Sequence, residues 1–139
     1  MIEFFSECDF HLEDTTNYND WLIRLIATKD WILGDITYIF CDDSYLLKVN
    51  QEYLNHDYFT DIITFDYTVD TTLGADIFIS IDRVKENAVE YGVSFDRELR
   101  RVMAHGVLHL MGYKDKTDSQ VREMRVEENN AIELFHVEH

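Results

Sequence analysis

The stretch from residue 104 to residue 115 reads Ala104-His105-Gly106-Val107-Leu108-His109-Leu110-Met111-Gly112-Tyr113-Lys114-Asp115. Apolar residues recur in it, and in the residues just before it, at the spacing of one helical face. This periodicity predicts a helix that packs on the core through Leu99, Val102, Met103, Val107 and Leu110. Gly112 suits the left-handed backbone position that ends a helix and turns the chain back. We therefore expect a buried helix that closes at this glycine.

The same helix sets two histidines one turn apart, beside its apolar stripe. Residues four apart are separated by about 400° of rotation, so His105 and His109 project from one face within reach of a single ion. Asp115 follows the glycine turn closely enough to fold back toward the same point. Two imidazoles, one carboxylate and an open fourth position are typical of catalytic zinc, whereas structural zinc usually has cysteine ligands. The alternative is a pair of ordinary core-edge histidines, because this spacing also occurs without metal.

Length and composition indicate one folded domain spanning residues 1–139. A chain of 139 residues with 46% hydrophobic content can bury a core, and such a composition excludes a protein that is disordered over its whole length. No apolar run is long enough to cross a membrane, and residues 1–7 lack the basic start and apolar core of a signal peptide. We therefore expect a cytoplasmic protein without a membrane partner. Cys8 and Cys41 are expected to be reduced, buried residues and not zinc ligands.

The charge of the chain restricts how it can hold a polyanion. There are 28 acidic residues against 12 basic ones, which gives a formal net charge of −16. Proteins that grip nucleic acid through phosphates usually present a basic surface. Three interpretations stay open: the substrate is not a long polyanion, a local basic patch or partner protein supplies the attraction, or the charge serves solubility.

Strand and helix patterns interleave along the chain without strict repetition. Strands are predicted at 2–5, 35–41, 60–67 and 75–81, the last of them central because both of its faces are apolar. Helices are predicted from Asn19 to a stop at Gly34, over 43–53, over 83–91, after a Ser94 N-cap, and from 117 or 118 to 135. On the last helix, Glu123, Glu127 and Glu128 are interpreted as a solvated face. The pattern predicts a single small α+β domain with a mixed sheet of about four strands, helices packed on it, and the metal site on a helix in the second half of the chain.

Three stretches resemble one protein family. Residues 105–113 resemble the HGxLHLxGY signature of the YbeY family of ribosomal RNA maturation factors. Residues 60–65, Thr-Asp-Ile-Ile-Thr-Phe, are similar to its TDVLSF strand, and residues 74–80 are similar to its GDIxIS strand with one residue extra. Glu98 and Leu99 precede the histidines, so the matches follow the family's order over most of the chain.

The resemblance implies a metal-dependent, single-strand-specific endoribonuclease that acts in rRNA processing and ribosome maturation. Its implied partners are single-stranded or ribosomal RNA, and ribosomal subunits or assembly proteins. It also implies that His105 and His109 are catalytic as well as metal-ligating. One zinc ion is the expected cofactor, held by His105, His109 and Asp115, although this donor set also suits nickel, iron or manganese.

Two positions depart from the family's pattern. The usual third ligand is a histidine, where this chain has Asp115, so the net charge of the site with a divalent ion falls by one unit. A less positive centre acidifies water less, and we expect weaker or more alkaline-shifted activity than a three-histidine site would give. The family typically has an arginine after the residue matching Tyr53, implicated in catalysis, and this chain has Leu54 instead.

Other cations could replace that arginine in part. Arg101 stands one turn before His105 and is the candidate catalytic cation, with Arg97 a further turn back. Lys114 and Lys116, which flank Asp115, are further candidates. The alternative for each is an ordinary surface cation paired with neighbouring acids.

Some polar residues outside the helix have two interpretations. Asp61 and Asp76 are either turn caps or acids that hydrogen-bond a metal-ligating imidazole. His56 lies in the loop before a predicted strand and could approach the site. His136 and His139, near the end of the sequence, are not included in the site.

Two other functions compete with RNA cleavage. A metallopeptidase of the HExxH type carries its catalytic glutamate directly after the first histidine, where this chain has Gly106. A non-catalytic ribosome-assembly factor with a structural metal is favoured by Leu54 and by the acidic charge.

Overall fold

Four strands form one mixed sheet, and five helices accompany it in the described part of the chain. The computed structural model describes residues 1–136. The elements are β1 (Ile2–Ser6), α1 (Thr15–Thr28), β2 (Ile32–Cys41), α2 (Asp43–Leu54), β3 (Ile62–Asp66), β4 (Thr72–Ser80), α3 (Ile81–Tyr91), α4 (Phe95–Leu110) and α5 (Asp118–Phe135). Among these helices, none is both long and apolar enough to cross a lipid bilayer.

The order of strands in the sheet is β1-β2-β4-β3. The β1/β2 and β2/β4 pairs are parallel, and β3 runs antiparallel to β4. Strand β4 is flanked on both sides, with Ile77 opposite Tyr38 of β2 and Thr64 of β3. This confirms the predicted α+β class, the mixed sheet of about four strands and the central position of the 75–81 strand, although Ile81 already begins α3.

Helix α4 is the predicted buried helix, and a cap, a hydrogen bond and a buried apolar stripe fix its position on the sheet. The Ser94 hydroxyl caps it by accepting from the Arg97 backbone N–H at 3.1 Å, as predicted. The phenol of Tyr38, buried in the sheet, donates to the Met103 carbonyl oxygen at 2.9 Å. The five residues of the predicted apolar stripe are all buried: Leu99, Val102, Met103, Val107 and Leu110.

At Gly106, α4 lies close against the sheet. A Cβ atom placed on it would lie 3.1 Å from Ile62 Cδ1 and 3.2 Å from Ile77 Cδ1. These contacts are tighter than ordinary van der Waals packing, so the missing side chain lets the helix approach β3 and β4. A glutamate here, as in HExxH peptidases, would point a carboxylate into the apolar contact.

The first and last helices are joined by a buried hydrogen bond. Trp21 of α1 is fully buried, and its indole Nε1 donates to the Ala131 carbonyl oxygen of α5 at 2.7 Å. The rings of Trp21 and Phe135 pack edge to face with centroids 5.4 Å apart. Helix α5 thus packs against both α1 and α4.

The predicted end of the first helix is wrong. Helix α1 stops at Thr28, the chain turns through Asp30 at φ 61°, and Gly34 lies inside β2. The position that a Gly34 Cβ atom would take is 2.4 Å from the Leu73 carbonyl oxygen. Gly34 therefore permits a close approach of β2 and β4 beside a register shift, and does not act as a helix stop.

Replacing Gly34 with alanine is expected to lower the free energy of unfolding by about 1–3 kcal/mol, because the added methyl collides with backbone that cannot rotate away. Urea unfolding measures the change. Gly74→Ala is the matched control, since the nearest atom to its Cβ would be the Tyr67 carbonyl oxygen at 3.5 Å. Equal stability of the two variants would contradict the proposed close approach.

Candidate metal centre

The last turn of α4 and the loop after it bring three ligand atoms together. The Nε2 atoms of His105 and His109 are 2.9 Å apart. Asp115 Oδ2 lies 3.4 Å from each of these nitrogens. Gly112, at φ 95°, turns the chain so that the loop carries Asp115 back over the helix end. The three residues that the sequence proposed as metal ligands therefore converge on one point.

The outer nitrogen of each imidazole has a partner that can only accept. His105 Nδ1 lies 2.6 Å from Glu128 Oε2, and His109 Nδ1 lies 2.9 Å from the Tyr113 carbonyl oxygen. Because a carboxylate and a carbonyl are acceptors, we assign the proton to Nδ1 in both rings. Each Nε2 atom then presents a lone pair toward Asp115.

This donor set fits a metal ion. Two lone pairs 2.9 Å apart with a carboxylate oxygen beside them repel unless a cation or a shared proton lies between them. With zinc–nitrogen distances of about 2.0 Å, ligand atoms at tetrahedral corners are about 3.3 Å apart. The observed separations of 2.9, 3.4 and 3.4 Å are close to that value. The Asp115 side chain is 40% exposed, so the centre is open to solvent on the loop side.

A buried ion-pair cluster lies directly behind His105. Arg101 makes paired hydrogen bonds to Glu98 at 2.9 and 2.7 Å and contacts Glu128 at 3.2 Å and Asp61 at 3.6 Å. The side chains of Glu98 and Glu128 are only 2% exposed. All three carboxylates are thus grouped around one guanidinium, and Glu128 also contacts His105.

The cluster keeps Glu128 and Arg101 charged. Burial raises the pKa of the Glu128 carboxyl, but the hydrogen bond from His105 and the charge of Arg101 outweigh burial and hold that pKa below its ordinary value. Burial likewise opposes the Arg101 charge, but the hydrogen bonds to Glu98 and the nearby Glu128 charge raise the pKa of Arg101. Arg101 is therefore a cation bound by acids, although at 13% side-chain exposure it is not the surface residue of the alternative interpretation.

The other residues singled out in the sequence lie elsewhere. Asp61 contacts Arg101, and Asp76 accepts a hydrogen bond from the Tyr67 hydroxyl at 3.3 Å. His56 Nδ1 contacts the Tyr58 hydroxyl at 3.1 Å. In the described residues, none of these three contacts an imidazole of the centre. Leu54 ends α2 and is 38% exposed. The other candidate cations are also exposed: Arg97, Lys114 and Lys116. His139 lies outside the described residues.

The cysteines do not add donors to the site. Cys8 and Cys41 are both free thiols, as expected, with Cys41 buried and Cys8 partly buried. Burial raises the pKa of Cys41 to about 12. This thiol is therefore protonated at neutral pH, unlike a zinc-ligating cysteine.

The sequence interpretation missed Glu128, which was assigned to a solvated face. The residues four before and four after it, Met124 and Ile132, are both buried. Helical spacing therefore did place Glu128 on the inner face of α5, and the clue was a charged residue at an apolar position. Its partner His105 is 23 residues earlier in the chain, which no local pattern reveals.

Comparison with known proteins identifies a family and relatives of this chain. The family model described as Endoribonuclease YbeY matches residues 8–136. A protein of Flavobacterium johnsoniae named Endoribonuclease YbeY is 51% identical over 138 residues, which cover 99% of each chain. Its namesake in Bacteroides thetaiotaomicron is 44% identical over 91% of this chain and 90% of its own.

A solved structure has the same fold. The solution structure of a Thermotoga maritima protein superposes with a TM-score of 0.69 and 24% sequence identity, covering 97% of this chain and 89% of that chain. The family match covers nearly the whole chain, including the three converging donors. The chain belongs to the Endoribonuclease YbeY family.

Proposed function

We propose that this protein is a metal-dependent endoribonuclease that cleaves single-stranded RNA in rRNA processing and ribosome maturation. The observation that carries the proposal is the convergence of His105 Nε2, His109 Nε2 and Asp115 Oδ2 on one solvent-open point. Membership of the YbeY family supports phosphodiester hydrolysis as the reaction. The whole chain, 1–139, would form the single hydrolase domain.

His105, His109 and Asp115 would hold one zinc ion, and nickel, iron or manganese would accept the same donors. Bound there, the metal would supply a Lewis acid that polarises a phosphoryl oxygen and acidifies water. His105 and His109 contribute by keeping their Nδ1 protons on fixed acceptors, so that both lone pairs stay aimed at the metal position. Asp115 offsets part of the positive charge.

Features beside Asp115 suit a single strand of RNA. A cavity of about 510 Å³ adjoins the loop and is lined in part by Lys29, Trp31, Tyr113 and Lys114. Aromatic faces bind unpaired bases by stacking, and an exposed lysine can contact a phosphate. Stacking needs little positive charge, which suits a chain of net charge −16. An unpaired base exposes its faces for such stacking, whereas a base inside a duplex is already stacked on its neighbours.

Ribosomal subunits or assembly proteins are the proposed protein partners, in the cytoplasm. The excess of acidic residues supports binding to basic ribosomal proteins, which would bring the enzyme to its RNA without a basic surface of its own.

A second candidate function is a ribosome-assembly factor whose metal is structural. Two observations favour it: Leu54 replaces the family's arginine, and Arg101 is engaged by three acids. Neither of these two positions supplies an unpaired cation for phosphate. Peptidase activity is disfavoured because Gly106 packs against Ile62 and Ile77, where no general base fits.

Metal-stripped protein tests the proposal. We expect no cleavage of a single-stranded RNA after chelation, recovery when zinc or manganese is restored, and little cleavage of a duplex of the same sequence. Cleavage that survives chelation, or equal cleavage of the duplex, would contradict the metal-centred mechanism. Ribosome binding without cleavage by any metal-loaded form would favour the assembly factor.

Asp115→His is expected to raise activity and to shift the pH profile toward acid by roughly one pH unit, because a more positive centre acidifies water more. Cleavage rates between pH 6 and 9 measure the shift. Asp118→His is the matched control, since Asp118 lies in the first turn of α5, outside the three converging donors. Superimposable profiles of wild type and Asp115→His would contradict a role for Asp115 at the metal.

A further inference from the structure

Glu128 is a buried carboxylate in contact with a proposed metal ligand. We propose that Glu128 is the positioning residue of the centre: it fixes the ring of His105 and sets the affinity for metal, and Arg101 acts through it. The inference rests on the proposed metal centre and names a residue outside its ligand set.

The geometry is that of a carboxylate behind a ligating histidine. One oxygen of Glu128, Oε2, faces both His105 Nδ1 at 2.6 Å and Arg101 Nη1 at 3.2 Å. The side chain is 2% exposed, so water does not compete for this oxygen. An acceptor on Nδ1 fixes the tautomer and orientation of the ring and makes Nε2 a better donor. Glu128 therefore acts on the nitrogen that points to the metal.

The cluster around Glu128 contains more carboxylates than arginines. Glu98 already takes two hydrogen bonds from Arg101, and Asp61 contacts it as well. Among residues 1–136, the other arginine near Glu128 is Arg125, 3.4 Å from Oε1. Three carboxylates against two arginines leave one negative charge in excess beside His105. A cation held at Nε2 would balance that charge, which couples the cluster to metal binding.

The two histidines are oriented by different parts of the chain. His109 is held by a neutral backbone carbonyl, that of Tyr113 in the loop, whereas His105 is held by a charged side chain from α5. Removing the Glu128 charge should therefore affect one ligand and leave the other in place. This asymmetry separates a positioning role from a general loss of structure.

Zinc affinity, measured by competition with a chromogenic chelator, tests the proposal without reference to activity. Glu128→Gln is expected to weaken zinc binding by about 10- to 100-fold, the usual effect of losing an outer acceptor. Glu133→Gln is the matched control: it makes the same chemical change on the same helix, at an exposed position. We expect that control to stay within about twofold of wild type, in line with a surface position. Equal affinities of Glu128→Gln and wild type would overturn the proposal.

A spectroscopic readout does not depend on the stability of any variant. In zinc-loaded wild type, imidazole nitrogen NMR should show His105 protonated at Nδ1, with that proton at low field because of the short bond to Glu128. Glu128→Gln should move the His105 proton resonance and leave that of His109 unchanged, and Glu133→Gln should move neither. Zinc bound through Nδ1 of His105, or equal shifts of both histidines, would overturn the proposal.

These outcomes separate the inference from the nuclease itself. If Glu128→Gln weakens zinc binding but no RNA is cleaved by the wild type, the proposed function fails and the positioning role stands. If the wild type cleaves RNA and Glu128→Gln binds zinc as tightly as the wild type, the proposed function stands and the positioning role fails.

Discussion

Substituting alanine for His109 is expected to reduce RNA cleavage at least about 100-fold, the scale of losing a group that stabilises charge in the transition state. The substitution removes one of three convergent donors. His109 is 33% exposed and lies at the end of α4, so its removal should leave the fold intact. Initial rates on a single-stranded RNA at saturating metal measure the loss, and circular dichroism checks the fold.

His56→Ala is the matched control for this prediction. His56 lies in the loop before β3, and its ring stacks on Tyr58, with centroids 5.2 Å apart. We expect its substitution to change the cleavage rate less than about threefold, in line with a surface position. Undiminished cleavage by His109→Ala would refute the metal-centred mechanism and indicate a contaminating nuclease.

The second large effect concerns stability. Arg101→Leu is expected to lower the free energy of unfolding at pH 7 by about 3–5 kcal/mol, because removing one partner leaves buried charge uncompensated. The Arg101 side chain is 13% exposed, and its partners Glu98 and Glu128 are 2% exposed, so water cannot replace the guanidinium. Chemical unfolding measures the loss, with Arg97→Leu, one turn earlier and exposed, as the control.

The pH dependence of this loss has a definite sign. The native pKa of Glu128 lies below its ordinary value of 4.5, so the ion pair stabilises the wild type above that pH. The stabilisation disappears as the pH falls through the lower, native pKa. The deficit of Arg101→Leu should therefore be largest at neutral pH and shrink in acid. A deficit independent of pH would indicate lost packing and not lost charge.

Much of the fold follows from local patterns. Helix α4 was predicted from its apolar spacing, its Ser94 cap and its closing glycine, all of which act within a few residues. The end of α3 at residue 91 was also predicted, and Gly92 follows it at φ 66°, a local stop of the same kind. The end of α1 was not predictable in this way, because Gly34 is required by contact with Leu73, a distant residue.

The same division holds for the centre. His105, His109 and Asp115 lie within one short stretch, and helix geometry with a glycine turn suffices to place them together. The surroundings of Arg101 could not be predicted, since Glu128 comes from another helix and Asp61 from the loop before β3. Sequence spacing thus predicted which donor groups converge but not the charges that act on them.

The hydrogen bond from Trp21 to Ala131 has a consequence for synthesis. Trp21 is synthesised more than a hundred residues before Ala131, so the indole of α1 lacks this acceptor until α5 has been made. Glu128 lies on the same late helix, so a nascent chain that has exposed both histidines still lacks the carboxylate behind one of them. Completion of the proposed metal centre would therefore depend on the synthesis of α5.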